Sequence, residues 1–534
     1  MKEYADSINL ANVSYDPSSN LFGYNSNALV GTLLALVGVE INDFIPQIGQ
    51  PVDFVGMNDI VSVPGVIEGS DDVDIVYLND SDDMIDVGAG DDTVHAGAGN
   101  DQLFAGSGND FFNGDLADAA DDESTDSLIY AAAPAGVTVD LSAATEDEIQ
   151  RGIVVVTDDG FGNVDRFQNI EVAMLTHHDD TFIFSDGIYQ SGIRRLKVLG
   201  GESDGLGDVA DFSASGVGVE AMSGQIITPL ADFEEGEFEG VASLENAPIL
   251  WLSGFEAVIG SQGSDEIQMG DTLWFADGGG GADYLLGYVE DEDFLELGYN
   301  SPVDQVIMGG DGDDVIVAGE LSERMVGHDA DIDLVNSEIQ VSALSTNSGF
   351  DILSYERSTA AISVTLQNQA NVSAVLSGGH AEGDEAYGFD GVVGSAYNDD
   401  LKGNANDNYL VGGDGHDRIW GYGGDDTIEA GSGVNEVWTG TGKDLVRINE
   451  FDGASEFTTI YDFVLLDDHI DIDQSRITNY HVQNSYTVDG VNGRFINPGL
   501  ASLTLDDGGV ITLNIVGIAA GYQDVDIYDW SIFA

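Results

Sequence analysis

Apolar residues recur every nine positions along two stretches of the chain. Residues 394–447 divide into six consecutive nonapeptides and residues 69–113 into five. The eighth place of each nonapeptide is apolar: Leu401, Leu410, Ile419, Ile428, Val437 and Val446 in one stretch, and Val76, Ile85, Val94, Leu103 and Phe112 in the other. The last three places read as a short strand that turns one apolar side chain inward. Because one such turn cannot bury that side chain alone, the turns must stack, and the pattern predicts a β-solenoid.

The sixth place of each nonapeptide carries an acid or an amide. These candidate metal ligands are Asp74, Asp83, Asp92, Asp101, Asp110, Asp399, Asn408, Asp417, Asp426, Asn435 and Asp444. A third, degenerate block at about 260–319 adds Asp265, Asp283 and Asp314, with Asp293 and Asp304 at drifting spacings. Stacking would place these carboxylates over one another, which is unfavourable without a cation. Ca²⁺ fits such a position because it accepts six to eight oxygen ligands in flexible geometry.

Composition supports a bound cation and restricts the partners. The chain has 14 Lys+Arg and 98 Asp+Glu, and its formal net charge is −84. Such a charge opposes compaction unless counterions lie within the fold, and it disfavours nucleic acid as a partner. Cysteine is absent, so neither disulfides nor thiolate zinc sites are possible. The apolar run 28–39 is too short to span a bilayer, and no Sec signal is expected at the N-terminus.

The nonapeptides resemble the hemolysin-type calcium-binding (RTX) repeats, whose signature is G-G-x-G-x-D-x-U-x. Residues 412–420, GGDGHDRIW, match that signature at every constrained place. The resemblance implies a parallel β-roll in which two nonapeptides form one coil and several Ca²⁺ ions lie between coils. It implies roughly four sandwiched ions for 394–447 and about three for 69–113. Asn408 and Asn435 depart from the signature, and weaker sites are expected there.

Longer units lie between the nonapeptide blocks. DSLIY (126–130), DVADF (208–212) and DILSY (351–355) each open a segment of alternating strand character. The predicted fold is therefore all-β, with parallel β-roll segments interleaved with β-rich modules and a C-terminal β cap. The predicted segments are 1–65 (N-terminal, a core element or a docking segment), 66–115 (β-roll), 116–253 (linking modules), 254–320 (degenerate β-roll), 321–390 (linking module), 391–447 (β-roll) and 448–534 (C-terminal region). The last segment resembles the C-terminal region of type I secretion substrates, which implies contact with that export machinery.

Catalytic motifs are weak, so we expect no enzyme activity. H-E-x-x-H is absent, and the G-x-S-x-G at 201–205 lies in a Gly/Asp turn without the strand and helix that a nucleophile elbow needs. Two classes of function remain. The first is a secreted calcium-binding structural protein of the cell surface or matrix, such as a self-associating surface layer or filament. The alternative is a secreted adhesin or carbohydrate-active enzyme with its site in 114–250 or 320–390.

Overall fold

The computed structural model describes residues 14–15, 46–47, 67–78, 81–114, 125–187, 195–201, 207–222, 225–228, 249–270, 273–288, 305–328, 330–335, 338–344, 349–448, 457–465, 467–472, 476–483, 494–506 and 509–518. The chain divides into two compact units, Met1–Ile259 and Gly260–Ala534. The finer seven-segment division stays a prediction. The predictions for 28–39, for the G-x-S-x-G serine, for Asp293 and Asp304, and for the last residues of the chain lie outside the described residues.

The first unit is built from short strands that stack in parallel. Ile75–Tyr77 pairs with Thr93–His95, and Met84–Asp86 pairs with Gln102–Phe104, in each case eighteen residues later. Two nonapeptides therefore form one coil, as expected. The strands are Ser14–Tyr15, Pro46–Gln47, Ile67–Glu68, Ile75–Tyr77, Met84–Asp86, Thr93–His95, Gln102–Phe104, Phe111–Asn113, Ser127–Ile129, Thr138–Asp140, Val154–Asp158, Asp165–Gln168, Val172–Met174, Thr181–Ile183, Arg195–Leu199, Val209–Asp211, Glu220–Met222, Gln225–Thr228, Ile249–Ser253 and Ala257–Ile259.

The linking modules of the first unit continue the same stacking. Ser127–Ile129, from the DSLIY unit, pairs in parallel with Gln102–Phe104, and Val209–Asp211, from DVADF, pairs with Thr181–Ile183. Antiparallel strands such as Val154–Asp158 are inserted between coils. The one α-helix among the described residues, Glu146–Arg151, begins at a capping box on Thr145 and ends at Gly152 in left-handed conformation.

The second unit repeats this architecture and ends in an antiparallel extension. Tyr409–Val411 pairs in parallel with Thr427–Glu429, and Phe457–Leu465 continues the sheet of Ser432–Trp438. A 3₁₀ turn spans Gly379–Ala381. The strands are Glu266–Gln268, Phe275–Asp277, Tyr284–Leu286, Gln305–Gly310, Val315–Val317, Glu323–His328, Ala330–Val335, Glu338–Leu344, Ile352–Ser354, Ser363–Thr365, Val375–Ser377, Glu385–Tyr387, Gly391–Val393, Asp400–Lys402, Tyr409–Val411, Asp414–Gly415, Arg418–Trp420, Thr427–Glu429, Ser432–Trp438, Leu445–Arg447, Phe457–Leu465, His469–Asp471, Ile477–Gln483, Arg494–Leu505 and Val510–Ile518.

The core is a column of eighth-place side chains inside the coils. The exposed fraction is 0% for the four eighth-place residues Ile85, Val94, Leu103 and Phe112 and for all six eighth-place residues of 394–447, and it is 2% for Val76. This confirms the predicted inward direction of the apolar phase. The first six places of each nonapeptide form the turn between two strands, which we call the corner. No helix among the described residues is long and apolar enough to cross a membrane.

Candidate metal centres at the solenoid corners

The sixth-place side chains form continuous rows along the corners, which we call inner rows. In each row the backbone N–H of one member donates to a side-chain oxygen of the next coil's member, over 2.7 to 3.4 Å. The rows are Asp74, Asp92, Asp110 and Asp165; Asp83, Asp101, Asp126 and Glu171; Asp180, Asp208 and Glu256; Asp265, Asp283, Asp314, Asp351 and Asp390; Asp399, Asp417 and Asn435; and Asn408, Asp426, Asp444 and Asp468.

The structure thus brings every predicted site residue into a row, and it adds residues that the nonapeptide pattern missed. Asp165, Asp208, Asp351 and Asp468 lie outside the nonapeptides yet make the same N–H to carboxylate contacts. Asp283 and Asp314 are direct row neighbours although they are 31 residues apart. Insertions between coils therefore account for the drift in the third block. In the sequence, the nine-residue spacing between Glu256 and Asp265 was the available sign that the acidic pattern continues outside the nonapeptide blocks.

One carboxylate oxygen of many row members is buried without a hydrogen-bond partner. The Oδ2 atoms concerned include those of Asp92, Asp101, Asp110, Asp208, Asp283, Asp314, Asp417 and Asp426. These residues are at most 2% exposed. Leaving a buried carboxylate oxygen without a donor or cation is costly, and native structures rarely do so. Each of these oxygen atoms therefore needs either a proton or a bound cation.

Burial perturbs the acidity of the same groups. Burial, aided by neighbouring row carboxylates, raises the pKa of Asp92, Asp101, Asp208, Asp283 and Asp417 to about 8. It raises the pKa of Asp110, Asp314 and Asp426 to about 7. When no cation is bound, these carboxyls therefore have pKa values close to neutral pH. A divalent cation would remove the penalty that the ionised form experiences.

The contacts of Asn435 show which groups surround the position that the unpartnered Oδ2 atom of a row aspartate occupies. Its Nδ2 donates to the carbonyl oxygens of Ala430 and Gly431, over 2.8 and 3.0 Å, while its Oδ1 accepts from the Asp417 N–H. An aspartate in the same position would bring a third oxygen against these two carbonyls. A side-chain atom on Gly412 would likewise meet both Asp417 Oδ2, at 2.7 Å, and the Ala430 carbonyl oxygen. Converging carboxylate and carbonyl oxygens are the ligands that Ca²⁺ prefers.

Several rows begin at a corner that satisfies its own carboxylate. At Asp399, both the N–H and the hydroxyl of Ser395 donate to the carboxylate, over 2.6 to 3.0 Å. The same Ser/Thr-x-x-x-Asp arrangement begins three further rows, in the pairs Ser70 with Asp74, Thr176 with Asp180, and Ser261 with Asp265. A hydroxyl at the second place therefore distinguishes capped corners from open ones. The sequence carried this signal, although the nonapeptide signature does not include it.

A buried tyrosine satisfies the carboxylate of Asp165, at the end of one row, and that of Asp384, which accepts from the Glu323 N–H outside the six rows. The Tyr130 hydroxyl donates to Asp165 Oδ2 over 3.1 Å, and the Tyr355 hydroxyl donates to Asp384 Oδ2 over 3.0 Å. Both tyrosines are fully buried. They come from DSLIY and DILSY, and Phe212 stands at the corresponding place of DVADF. These two carboxylates are therefore satisfied by the protein itself.

The fifth-place side chains form a second set of contacts on the outside. The Asn109 N–H donates to Asp91 Oδ1 over 2.9 Å, and the Lys443 N–H donates to Asp425 Oδ1 over 2.8 Å, both toward the preceding coil. These acceptors are exposed. Hydrogen bonds from Asn109 lower the pKa of Asp91, in contrast to the raised values of the inner row. Asp91 is therefore a surface acid with a lowered pKa, whereas the sixth place carries buried acids whose pKa is raised.

Stacked coils with open, oxygen-lined corners define a calcium-binding parallel β-roll. The family model described as the RTX calcium-binding nonapeptide repeat (4 copies) matches residues 66–94, 86–118, 304–320, 387–419 and 411–446. These stretches of the chain therefore carry RTX calcium-binding nonapeptide repeats, and multiple Ca²⁺ ions are the cofactor. No curated protein matches the chain.

Among solved structures, the chain is similar to the solution structure of the AlgE6R3 subunit from the Azotobacter vinelandii mannuronan C5-epimerase. The identity is 19%, the match covers 24% of this chain and 86% of that one, and the TM-score is 0.17. A TM-score of this size carries no argument about function.

Proposed function

We propose that this chain is a secreted calcium-binding structural protein that folds when Ca²⁺ fills its corners outside the cell. The observation that carries the proposal is the set of buried carboxylate oxygens without partners along the inner rows. The proposed ligands are the predicted sixth-place residues, completed by corner carbonyls. Asn435 and Asn408 are exceptions, because their amides already donate to carbonyl oxygens. The capped carboxylates Asp74, Asp265 and Asp399 already accept from a hydroxyl of their own corner and are the weaker ligands of the set.

Coupled folding and binding follows from these corners. Where Ca²⁺ is scarce, a chain of net charge −84 with unfilled corners stays extended and suited to passage through an export channel. In millimolar Ca²⁺ each site adds RT ln(1 + [L]/Kd) to the stability of the folded state, about 2.7 kcal/mol at one hundred times Kd. Several such sites exceed the stability of a typical domain.

The test of this step is circular dichroism during removal and return of cations. Chelation should abolish the β-sheet signal, millimolar Ca²⁺ should restore it, and Mg²⁺ at the same concentration should restore it poorly. Mg²⁺ is the matched control because it has the same charge but requires a smaller octahedral site. Equal recovery in both cations would contradict selective calcium corners.

For the role of the folded protein we propose assembly into a surface layer, filament or matrix. Repeats and linking coils occupy most of the described chain, and stacked coils present strand edges that favour pairing with a second copy. Electron microscopy of the full chain after dialysis into millimolar Ca²⁺ should show ordered assemblies. Strictly monomeric particles at high concentration would reject assembly while leaving calcium-dependent folding intact.

For the carbohydrate-active alternative, the row acids of 114–250 are unsuitable as a catalytic pair. Asp126, Asp165, Asp180 and Asp208 are fully buried in corners, where they accept backbone hydrogen bonds from the coil before. An acid pair for glycoside hydrolysis must instead reach a sugar from both sides.

A further inference from the structure

One corner of the second unit contains a histidine where its neighbours have glycine. His328 ends the strand Glu323–His328 and follows Gly327, as Gly310 follows Gly309 in the coil before. A side-chain atom on Gly327 would meet Asp351 Oδ2 at 3.0 Å and the Gly388 carbonyl oxygen at 2.8 Å. The equivalent atom on Gly309 would meet Asp314 Oδ2 at 2.5 Å and a carbonyl oxygen of the next coil. This is therefore an inner-row corner with an imidazole at its second place.

The imidazole and two row carboxylates converge at this corner. One ligand atom from each of His328, Asp351 and Asp390 lies within 4.8 Å of the other two. His328 Nδ1 is 2.6 Å from Asp351 Oδ2, yet neither atom makes a hydrogen bond of regular geometry. The Asp351 side chain is fully buried, and its Oδ1 already accepts from the Asp314 N–H over 3.0 Å. Its Oδ2 is thus directed at the histidine and not at a backbone donor.

The donor set differs in kind from that of the other corners. Carboxylate and carbonyl oxygens suit Ca²⁺, whereas imidazole nitrogen suits Zn²⁺ and its neighbours in the first transition series. Zn²⁺ binds nitrogen at about 2.0–2.1 Å and carboxylate oxygen at about 2.0–2.2 Å, so three donors within 4.8 Å of one another need only small shifts to share one ion.

An insertion explains how this corner could diverge from the others. The hairpin of Ala330–Val335 and Glu338–Leu344 enters the chain between His328 and Gly349, within the turn itself. The other corners close that turn in a few residues, which favours glycine at the second place. The His328 side chain remains 15% exposed, which gives a metal ion access from solvent.

We propose that His328, Asp351 and Asp390 form a transition-metal site, selective for Zn²⁺ over Ca²⁺, within a row of calcium corners. The site differs from its neighbours by one nitrogen donor. It would therefore keep its ion at Ca²⁺ concentrations that saturate the rest of the row.

The experiment uses the full chain folded in saturating Ca²⁺ and freed of transition metals. Co²⁺ is the probe, because its visible absorption changes when protein ligands replace bound water and alter its coordination geometry, and because Zn²⁺ can displace it. We expect about one Co²⁺ per chain that Zn²⁺ displaces and tenfold more Ca²⁺ does not. His328→Gln should weaken Co²⁺ binding by at least 10–100-fold, the loss that even outer-shell substitutions cause at metal sites.

Two further variants keep the result interpretable. His416→Gln is the matched control, because His416 is an exposed histidine in a nonapeptide corner, and it should leave Co²⁺ binding unchanged. Asp390→Asn should weaken Co²⁺ binding while the calcium-dependent circular dichroism persists. Displacement of Co²⁺ by Ca²⁺, or equal Co²⁺ binding by wild type and His328→Gln, would overturn the proposal. In that case the imidazole serves only as an ion-pair partner of Asp351.

Discussion

Exchanging one carboxylate for an amide at a corner should weaken the calcium dependence of stability. In Asp417→Asn the unpartnered Oδ2 becomes an Nδ2 that can donate to the carbonyls of its own corner, as Asn435 does in the same row. The Oδ1 that accepts from the Asp399 N–H is retained. The variant therefore loses a Ca²⁺ ligand and gains an internal donor with little change in shape.

The structure gives the size of both effects. Burial raises the pKa of Asp417 from 3.8 to about 8, so ionising it in the calcium-free fold above pH 8 costs on the order of 5 kcal/mol. The amide avoids that cost and adds hydrogen bonds worth about 1 kcal/mol each. With Ca²⁺ at one hundred times Kd the wild type regains about 2.7 kcal/mol from the site, and at one thousand times Kd about 4.1 kcal/mol. The stability advantage of the variant over wild type should therefore be largest without Ca²⁺, shrink as Ca²⁺ rises, and reverse only when Ca²⁺ far exceeds Kd.

Urea unfolding across a series of Ca²⁺ concentrations measures how the free energies of unfolding of wild type and Asp417→Asn change relative to each other. Trp420 and Trp438, stacked with their ring centroids 4.7 Å apart beside this row, provide the fluorescence signal. The number of ions coupled to folding should fall by about one in Asp417→Asn. The reciprocal change Asn435→Asp should raise it and should destabilise the calcium-free protein.

Asp400→Asn is the matched control, because Asp400 occupies the seventh place of the same block and its side chain is 37% exposed. Its effect should be small and independent of Ca²⁺. If Asp417→Asn destabilises the protein equally at every Ca²⁺ concentration, the Oδ2 atom does not contact a cation and the reasoning about open corners fails.

Three further outcomes are expected. Without Ca²⁺, the row carboxyls have folded-state pKa values of about 6 to 8 against 3.8, so the folded chain binds more protons than the unfolded chain and its stability should rise as pH falls from 8 toward 5. In chelator, the β-sheet circular dichroism that is lost at pH 8 should therefore return toward pH 5, and a signal that stays absent over this range would contradict the prediction. Tyr130→Phe removes the donor to Asp165 Oδ2 and should lower the free energy of unfolding by about 1–3 kcal/mol in saturating Ca²⁺. The control Tyr461→Phe removes the hydroxyl of a partly exposed ring and should lower it less. Equal shifts of the urea midpoint in the two variants would count against the buried pair. Ser395→Ala removes the hydroxyl donor from a capped corner and leaves only the backbone N–H on Asp399, so folding should become more dependent on Ca²⁺ than in the control Ser432→Ala. Parallel Ca²⁺ titrations by circular dichroism would show the difference.

The nonapeptides could be predicted because their fold depends on local, repeated chemistry. The eighth-place side chains point inward and the sixth-place side chains line the corners, because nine residues complete half a coil each time. The period alone therefore placed Ile85 in the core and Asp417 in a row.

The linking modules could not be predicted in the same way. Asp110 and Asp165 are row neighbours 55 residues apart, because an antiparallel insertion separates their coils. The register there depends on which strands pair, and no fixed spacing in the sequence encodes it. The corner of His328 was missed for the same reason, since a hairpin separates its histidine from Asp351.

The direction of the inner-row hydrogen bonds gives the molecule a polarity. In each row a coil donates its N–H to the coil that follows and accepts with its carboxylate from the coil that precedes. The two ends of a row therefore differ chemically, because loss of the last coil would leave a row N–H without its acceptor, whereas loss of the first coil would leave a carboxylate without that donor.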